Sequence, residues 1–350
     1  MKKVLRIVLY ILLVIVLAAV GLIAWLSIAE YKPAPVEPAA KMSVSSSELL
    51  DAEESLEILS WNIGYGGLGK DSDFFMDGGK EVQAADEETV KAYLDGISAY
   101  LAEEDPDLLM LQEVDRDSKR TYGIDESALL ARGESAFAYN YSCPFVPYPM
   151  PPIGKVNSGL LTTTDFTIAE ANRIALPCPF DWPVRAANLK RCLLVSYLPI
   201  EGSDKQLVLV NLHLEAYDDG EGKLAQTKML LDFISSEYEK GNYVIAGGDF
   251  NQTFPGSMEK YPIVHDDYWV PGTLNGDELP EGWRYVYDVE NPTCRLLNRP
   301  YDVTDTENNQ HYVLDGFIVS PNVEVESVES VDLQFQFSDH NPVKLVVNLK

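Results

Sequence analysis

The sequence lacks the signatures of several common catalytic sites. It has only four cysteines among 350 residues, with no C-x-x-C spacing, and neither an H-E-x-x-H nor a G-x-S-x-G segment. The absence of C-x-x-C disfavours a zinc site, and the absence of H-E-x-x-H disfavours a zinc protease. The absence of G-x-S-x-G disfavours a serine hydrolase. The cysteines are Cys143, Cys178, Cys192 and Cys294. They could pair in three ways outside the cytoplasm or stay as buried thiols, and both alternatives are open.

Basic residues are also scarce. The chain has 27 lysines and arginines against 55 acidic residues, a net charge of −28, and 46% of its residues are apolar. This composition is sufficient for a large core. Because so acidic a surface repels a phosphate backbone, it disfavours long nucleic acid as a partner without forbidding it. We expect a folded, acidic monomer.

A long apolar run stands at the N-terminus. No charged residue occurs from Ile7 to Ile28, which is about the 20 residues that a transmembrane helix needs. Three basic residues lie within the first six positions. The positive-inside rule therefore predicts a single-pass anchor in the cell membrane, with the chain beyond residue 30 outside the cytoplasm. The alternative is a signal peptide cleaved at Ala29, although its apolar region would exceed the usual length of about 7–15 residues.

The rest of the chain is interpreted as a linker and one domain. Residues 31–55 are rich in proline, alanine, serine and acidic residues and have no apolar period, which is typical of a tether. No second linker and no repeat follow. The predicted division is an anchor at 1–30, a linker at 31–55 and a single domain at 56–350.

Two amphipathic segments and many short apolar runs predict a mixed α/β fold. Helices are predicted over residues 86–105, ahead of Pro106, and over 224–239. Most of the predicted strands are continuous apolar runs, as expected for strands covered on both faces. The strands are predicted at 56–61, 108–112, 159–162, 192–197, 206–214, 243–246, 313–320 and 343–349. This order of elements favours an α/β sandwich.

Polar residues follow or interrupt these runs. They are Asn62, Glu113, His213, Asp249, Asn251, Asp315, Asp339 and His340. A rigid sheet can present such side chains as one site. Carboxylate and amide oxygens suit Mg²⁺, and histidines can donate to a phosphate or move a proton. In the stretch GGDFN, the glycines are predicted to form a tight turn.

In this order, these motifs resemble the endonuclease/exonuclease/phosphatase superfamily. That group includes DNase I, exonuclease III-like repair nucleases, neutral sphingomyelinases and inositol polyphosphate 5-phosphatases. The resemblance covers residues 56–350 and is carried most specifically by the G-D-x-N and S-D-H motifs together. It implies a four-layer α/β sandwich of two mixed β-sheets flanked by helices. It also implies hydrolysis of phosphoesters with Mg²⁺ or another divalent cation such as Mn²⁺ or Ca²⁺.

The resemblance further implies a role for each residue. Glu113 would be the main metal carboxylate, with Asn62 beside the ion and Asp339 a further ligand or a neighbour through water. Asp249 would orient or deprotonate the attacking water. Asn251 would hold a phosphate oxygen.

Both histidines would face the phosphate, and Asp315 would hold His340 in its tautomer. Two departures from the family pattern bear on these roles. Gly316 follows Asp315 where relatives often have an aromatic residue, and His213 stands in N-L-H where N-T-H is common. These two contexts match the family least well.

The expected substrate is a small or lipid-like phosphodiester or phosphomonoester, because an anchor would hold the domain beside lipid headgroups. The segments 141–155 and 266–287, which are rich in aromatic residues, are loops of the kind that shape specificity. The alternatives are a DNase I-like nuclease on the outer side and a non-catalytic surface binding module with the same fold. The complete set of acids, amides and histidines argues against the binding module.

Overall fold

The structure is a computed structural model that describes residues 1–42, 46–218 and 220–350. The helices are α1 (Lys2–Ala29), α2 (Glu87–Glu104), α3 (Glu126–Leu130), α4 (Glu221–Glu239) and α5 (Ser257–Lys260). The first nine strands are β1 (Val36–Pro38), β2 (Ala40–Lys41), β3 (Leu56–Asn62), β4 (Leu108–Asp115), β5 (Glu134–Val146), β6 (Gly154–Thr164), β7 (Glu170–Ala175), β8 (Cys192–Pro199) and β9 (Gln206–His213). The others are β10 (Tyr243–Asp249), β11 (Gln252–Thr253), β12 (Gly272–Thr273), β13 (Arg284–Val286), β14 (Cys294–Arg295), β15 (His311–Tyr312), β16 (Asp315–Val319), β17 (Val323–Ser330) and β18 (Val343–Leu349).

Two seven-stranded mixed sheets form the centre of the fold. One has the strand order β1-β7-β8-β9-β10-β16-β13 and the other β17-β18-β3-β4-β6-β5-β2. In each sheet one neighbouring pair is parallel, β9 with β10 and β3 with β4. Each parallel pair is joined by a helix, α4 or α2, because parallel neighbours need a crossover connection. The two crossovers bring the C-terminal ends of four strands toward the same edge of the sandwich.

The core has three layers of apolar contact. Between the sheets, Ile58 and Met110 of one sheet pack in the same cluster as Leu209 and Ile245 of the other. The outer face of one sheet packs against α4, and the outer face of the other packs against α2. The four-layer sandwich expected from the sequence is confirmed, and each of the eight predicted strands lies in or overlaps an observed one.

Helix α1 projects from the domain. Residues 1–20 are all exposed. Among the described residues, α1 is the one helix that is long and apolar enough to cross a membrane, with a mean hydropathy of 3.2 over its most apolar window. Contact with the domain is confined to its last turns, where Leu22 and Leu26 pack against Val146, Val156 and neighbouring side chains.

The segment predicted to be a free tether pairs with the domain. Val36–Pro38 joins the edge of one sheet beside β7, and Ala40–Lys41 joins the edge of the other beside β5. Leu50 is completely buried and bridges to Ile200. These strands have two or three residues, too few for a visible period, and their register comes from the sheet edges. The described part of the predicted linker therefore lies along the domain, whereas residues 43–45 of this segment lie outside the described residues.

The four cysteines are free thiols, and all lie in described parts of the chain. Cys143, Cys192 and Cys294 are buried, and Cys178 is half-buried. Burial raises the pKa of the Cys192 thiol to about 11. Of the two alternatives left open by the sequence, the structure has the unpaired one.

We predict that iodoacetamide modifies Cys178 alone in the folded protein, because the reagent needs an accessible thiolate. Mass spectrometry of peptides from folded and denatured samples, both without reductant, measures the reaction. All four cysteines should react after denaturation. Modification of the denatured chain only after addition of a reductant would reveal a disulfide and contradict the structure.

Candidate active site

Four strand ends bring the predicted site residues together. Asn62 ends β3 and Glu113 lies near the end of β4, while His213 ends β9 and Asp249 ends β10. The side-chain amide of Asn62 connects the two sheets. Its Nδ2 donates to Glu113 Oε1 at 3.3 Å within its own sheet and to Asp249 Oδ2 at 3.0 Å in the other.

The direction of Glu113 depends on a β-bulge. The register of β4 against β6 shifts between Leu111 and Val114, and Glu113 has a φ of 56°. A left-handed conformation in a non-glycine residue costs about 1–3 kcal/mol and is retained where the surroundings enforce it. A bulge re-aims a side chain relative to the regular strand. Glu113 is consequently half-buried and lines a cavity that runs into the site.

The glycines of GGDFN lie inside β10, so the prediction that they form a tight turn is wrong. Gly248 has a φ of 139°, and a Cβ there would lie 2.0 Å from the carbonyl oxygen of Leu212. A Cβ on Gly247 would lie 2.3 Å from Cδ1 of Phe317. The pair therefore permits the close approach of β9 and β16 on either side. As a result, Asp249 stands in register with the last residue of β9 and the first of β16.

The carboxylate of Asp249 is in contact with several polar groups of the site. Besides Asn62, it contacts His213, whose Nε2 lies 3.3 Å from Asp249 Oδ2. The backbone N–H of Asn251 donates to Asp249 Oδ1 at 2.8 Å. The Asn251 side chain donates from Nδ2 to the carbonyl oxygen of Leu214 at 2.9 Å. Asn251 has a φ of 49°. In this conformation its backbone N–H binds Asp249 while its side-chain amide binds Leu214, directly after β9.

His340 and Asp315 form a direct pair. Nδ1 of His340 lies 2.8 Å from Asp315 Oδ2, and the other ring nitrogen faces Asp249 at 3.8 Å and Asp339 at 3.9 Å. The departure from the family pattern at Gly316 does not turn Asp315 away. Gly316 pairs with a glycine of β10, and a Cβ there would lie 2.7 Å from the buried ring of Phe254.

The two histidines of the site differ in charge. Burial opposes the charge of His340, yet the carboxylates of Asp315, Asp249 and others raise its pKa well above the ordinary value. Burial lowers the pKa of His213 well below the ordinary value, and the charge of Arg191 acts in the same direction. The site therefore holds one imidazolium and one neutral imidazole at neutral pH.

The acidic side chains of the site fall into two groups. Glu113, Asp249 and Asp339 line the cavity, whereas Asp315 lies behind His340. Burial raises the pKa of Asp339 to about 7, with a further contribution from the charge of Glu113. Burial likewise raises the pKa of Asp249 to about 6. Buried carboxylates that repel one another are what a divalent cation would stabilise in the charged state.

The structure also identifies a compact group of possible metal donors. Asp249, Asp315 and His340 each offer one atom within 4.8 Å of the others. The Asp315 oxygen and the His340 nitrogen of this group already form a hydrogen bond. We therefore interpret Asp315 and His340 as an acid–base pair, and Glu113 and Asp339 as the carboxylates available to an ion. The ligand roles of Asn62, Glu113 and Asp339 stay predictions.

Several arginines near the site were not identified in the sequence. Arg191 is 5% exposed and lines the cavity. Its Nε lies 3.8 Å from Glu215 Oε2, and neither Nε nor Nη1 has a hydrogen-bond partner in the described structure. Arg120 instead has two hydrogen bonds to Asp115 and stacks 3.6 Å over the ring of Tyr65. No local motif marks either arginine; the one signal for Arg191 is its position directly before the apolar run of β8.

Comparison with known proteins identifies the family of the chain. The sequence profile of the Endonuclease/Exonuclease/phosphatase family matches residues 59–340. The chain belongs to this family, and it is a metal-dependent phosphoric ester hydrolase. No curated protein matches the chain in sequence.

Similar solved structures share the fold at low sequence identity. One is an endonuclease/exonuclease/phosphatase from Beutenbergia cavernae, with 16% identity and a TM-score of 0.53 over 84% of this chain and 72% of that chain. Another is a functionally unknown conserved protein from Enterococcus faecalis, with 14% identity and a TM-score of 0.54 over 84% of this chain and 100% of that chain. A third is D. rerio TDP2 complexed with a single-strand DNA product, with 17% identity and a TM-score of 0.50 over 84% and 99%. At these identities the likeness extends to the fold alone.

We predict that Asp315 and His340 act as one unit in phosphoester hydrolysis. His340→Ala should lower kcat/KM by about 100-fold or more, as the loss of a positioned acid–base group does. Because Asp315 acts through the imidazole, Asp315→Asn/His340→Ala should lose no more than about twofold beyond that single variant. Steady-state kinetics on a soluble phosphodiester, with thermal unfolding as a control for folding, measures the effect. Losses that multiply would show that the two residues act independently.

Proposed function

We propose that this protein is a membrane-anchored phosphoesterase that uses Mg²⁺ or a similar divalent ion outside the cytoplasm, on a small or lipid-like substrate. The catalytic part of this proposal rests on the contacts that Asp249 makes where the edges of the two sheets meet. There a carboxylate from one sheet contacts an amide from the other, a neutral imidazole and, at longer distance, a charged imidazole. Such a constellation has the parts that hydrolysis of a phosphoester needs.

Glu113 and Asp339 are the residues that we propose hold the ion, with Asn62 beside it. Their fit is supported by their position on the cavity wall and by the effect of the Glu113 charge on Asp339. A bound divalent ion would offset the negative charge that develops on the phosphoryl oxygens. The preference for Mg²⁺ follows from the oxygen ligands.

The other residues then have distinct tasks. His340 is committed through Nδ1 to Asp315 and offers its Nε2–H to a phosphoryl oxygen. Asp249 would orient or deprotonate the attacking water. Asn251 has one amide hydrogen on Leu214 and a second for a phosphate oxygen. His213, as a neutral imidazole, donates toward Asp249 and fixes its direction.

The membrane anchor is supported by the exposure of α1. A helix whose first 20 residues are exposed and mostly apolar needs a lipid environment or a partner. The end of the helix is also tied to the domain, because Trp182 Nε1 donates to Ser27 Oγ at 2.9 Å and Arg185 pairs with Glu30 at 2.9 Å. Cleavage at Ala29 would uncover the apolar cluster around Leu26, which argues for an uncleaved anchor.

The charge of the chain favours a small or lipid-like substrate over a long nucleic acid. A net charge of −28 opposes the approach of a polyanion. We therefore rank a DNase I-like nuclease below the lipid or small-molecule phosphoesterase, and we expect the protein to act as a monomer.

We predict that Glu113→Gln lowers kcat/KM on a soluble phosphodiester on the order of 100-fold, because it removes charge stabilisation from the site. The same variant should bind Mg²⁺ more weakly in calorimetric titration, since it lacks the negative ligand. Both measurements use the full chain in detergent or nanodiscs.

The matched control is Glu103→Gln, an equal change at an exposed position of α2. It should leave hydrolysis and Mg²⁺ binding at the wild-type level. Near-normal activity and Mg²⁺ affinity of Glu113→Gln would show that the ion is held elsewhere.

We predict that the full-length chain stays in the membrane fraction with its domain outside. Protease added to intact cells should digest the domain and spare α1, because lipid protects the helix. A cytoplasmic marker protein must remain intact in the same sample. Recovery of the domain from the medium, with an N-terminus near Glu30, would favour a cleaved signal peptide.

A further inference from the structure

The geometry points to the last turns of α1 as one wall of the substrate cavity. We propose that this cavity takes the hydrocarbon chain of a lipid phosphoester drawn from the membrane that holds α1. This inference rests on the proposed phosphoesterase activity and names its substrate class. It also gives the anchor a second task beyond attachment.

One cavity connects the membrane helix with the active site. It has a volume of about 620 Å³, within the range of about 300–1,000 Å³ for small-molecule sites. Glu113, His213 and Asp249 line it at one end. Leu22 and Leu26 of α1 line it at the other. A molecule that fills the cavity therefore contacts both the catalytic carboxylates and the transmembrane segment.

The two ends of the cavity differ in polarity. Around α1 the wall includes apolar side chains that pack in one cluster with Leu22 and Leu26, namely Val146, Ile153 and Val156. Phe180 and Val184, from the loop before β8, also line the cavity. A purely polar substrate would leave this wall in contact with water, whereas an alkyl chain would cover it. The polarity gradient therefore matches a molecule with a phosphate at one end and a hydrocarbon at the other.

The apolar end lies at the level of the bilayer surface. About 20 helical residues cross the hydrocarbon layer, and counted from Arg6 they reach Leu26. The apolar end of the cavity thus stands where acyl chains meet their headgroups. Exposed apolar side chains lie beside the same helix end: Trp182, which donates to Ser27, and Val184 are each 59% exposed. Aromatic residues with a polar atom are favoured at such interfaces.

The charge beside the helix end is also suited to a lipid surface. Lys32, Arg185 and Lys190 surround the buried carboxylate of Glu30, with distances of 3.6, 2.9 and 3.5 Å to its oxygens. This group is basic on balance in a chain that is strongly acidic overall. Basic side chains beside a transmembrane helix are attracted to anionic headgroups. The contact would hold the end of α1 and the domain surface beside it against the membrane.

Arg191 lies in the wall of the same cavity and has the properties of an anion-binding residue. It is buried, and its Nε and Nη1 have no hydrogen-bond partner in the described part of the chain. Its ion pair with Glu215 at 3.8 Å leaves these two donors without a hydrogen bond, and a buried donor without an acceptor is costly unless a ligand supplies one. A lipid phosphate that enters from the α1 side could supply the missing acceptor before it reaches the catalytic carboxylates.

The test compares lipid and soluble phosphoesters on the full chain in nanodiscs. The two lipid substrates are a diacyl phosphodiester and an isoprenoid phosphate. Comparing them shows which of these two kinds of long-chain phosphoester the protein prefers. The soluble arm is bis(p-nitrophenyl) phosphate. In Leu26→Trp and Leu22→Trp the indole fills the apolar end. The ratio of kcat/KM for the preferred lipid to that for the soluble ester should then fall about tenfold. This is the effect expected when the indole prevents about two methylene groups of the lipid chain from being buried.

The matched control is Leu13→Trp, on the exposed part of α1, which should leave the ratio unchanged. A second readout uses a photoactivatable lipid whose reactive group lies on the acyl chain. It should label residues of the cavity wall in the wild type, and Leu26→Trp should reduce this labelling.

The outcomes separate this inference from the proposed function. Soluble ester hydrolysis with an unaltered ratio in both tryptophan variants would overturn the lipid cavity and leave the phosphoesterase in place. Failure of the wild-type cavity to be labelled by the lipid would also overturn it. Lipid labelling without hydrolysis of any phosphoester would support the lipid cavity and count against the proposed enzyme activity.

Discussion

The active site depends on how one buried carboxylate is satisfied. Asp249 is 1% exposed, and a buried charge is tolerated only with good hydrogen-bond partners. Its partners come from both sheets: Asn62 from one, and His213 and Asn251 from the other. The edges of the two sheets must therefore keep a fixed separation and register. Any change that moves the sheets apart removes the Asn62 donor from this buried carboxylate, so the packing of the sandwich and the geometry of the site are maintained together.

That requirement explains the unusual backbone around the site. Glu113 reaches the junction only through a bulge with a positive φ, and Gly248 allows β10 to lie close to β9. A regular strand would aim Glu113 elsewhere, and a Cβ at Gly248 would separate the strands. These local costs are offset by the apolar cluster between the sheets, in which Ile58, Met110 and their neighbours are completely buried. The backbone strain at the edge of the sheets is thus offset by the burial of apolar side chains between them.

The sequence predicts those parts of the molecule that depend on local pattern. Apolar runs such as the one in β10 were identifiable because both faces of the strand are buried. By contrast, β17 is an edge strand with exposed acidic residues, and β1 takes its register from β7, so neither was predicted. The order of motifs predicts the candidate site residues, but it does not predict that the glycine pair allows the close approach of the neighbouring strands. Arg191 and the cavity depend on contacts between distant segments, which have no local signal in the sequence.

The proposed anchor and the charge of the chain together would restrict how the protein lies on a membrane. A net charge of −28 repels an anionic surface over most of the domain. The basic group around Glu30 is an exception, and it lies at the end of α1, beside exposed Trp182. The contacts of Glu30 and Ser27 with the domain limit rotation about the helix end. Repulsion elsewhere and attraction at this point would favour one orientation, in which the apolar end of the cavity faces the lipid and the proposed catalytic carboxylates lie behind it.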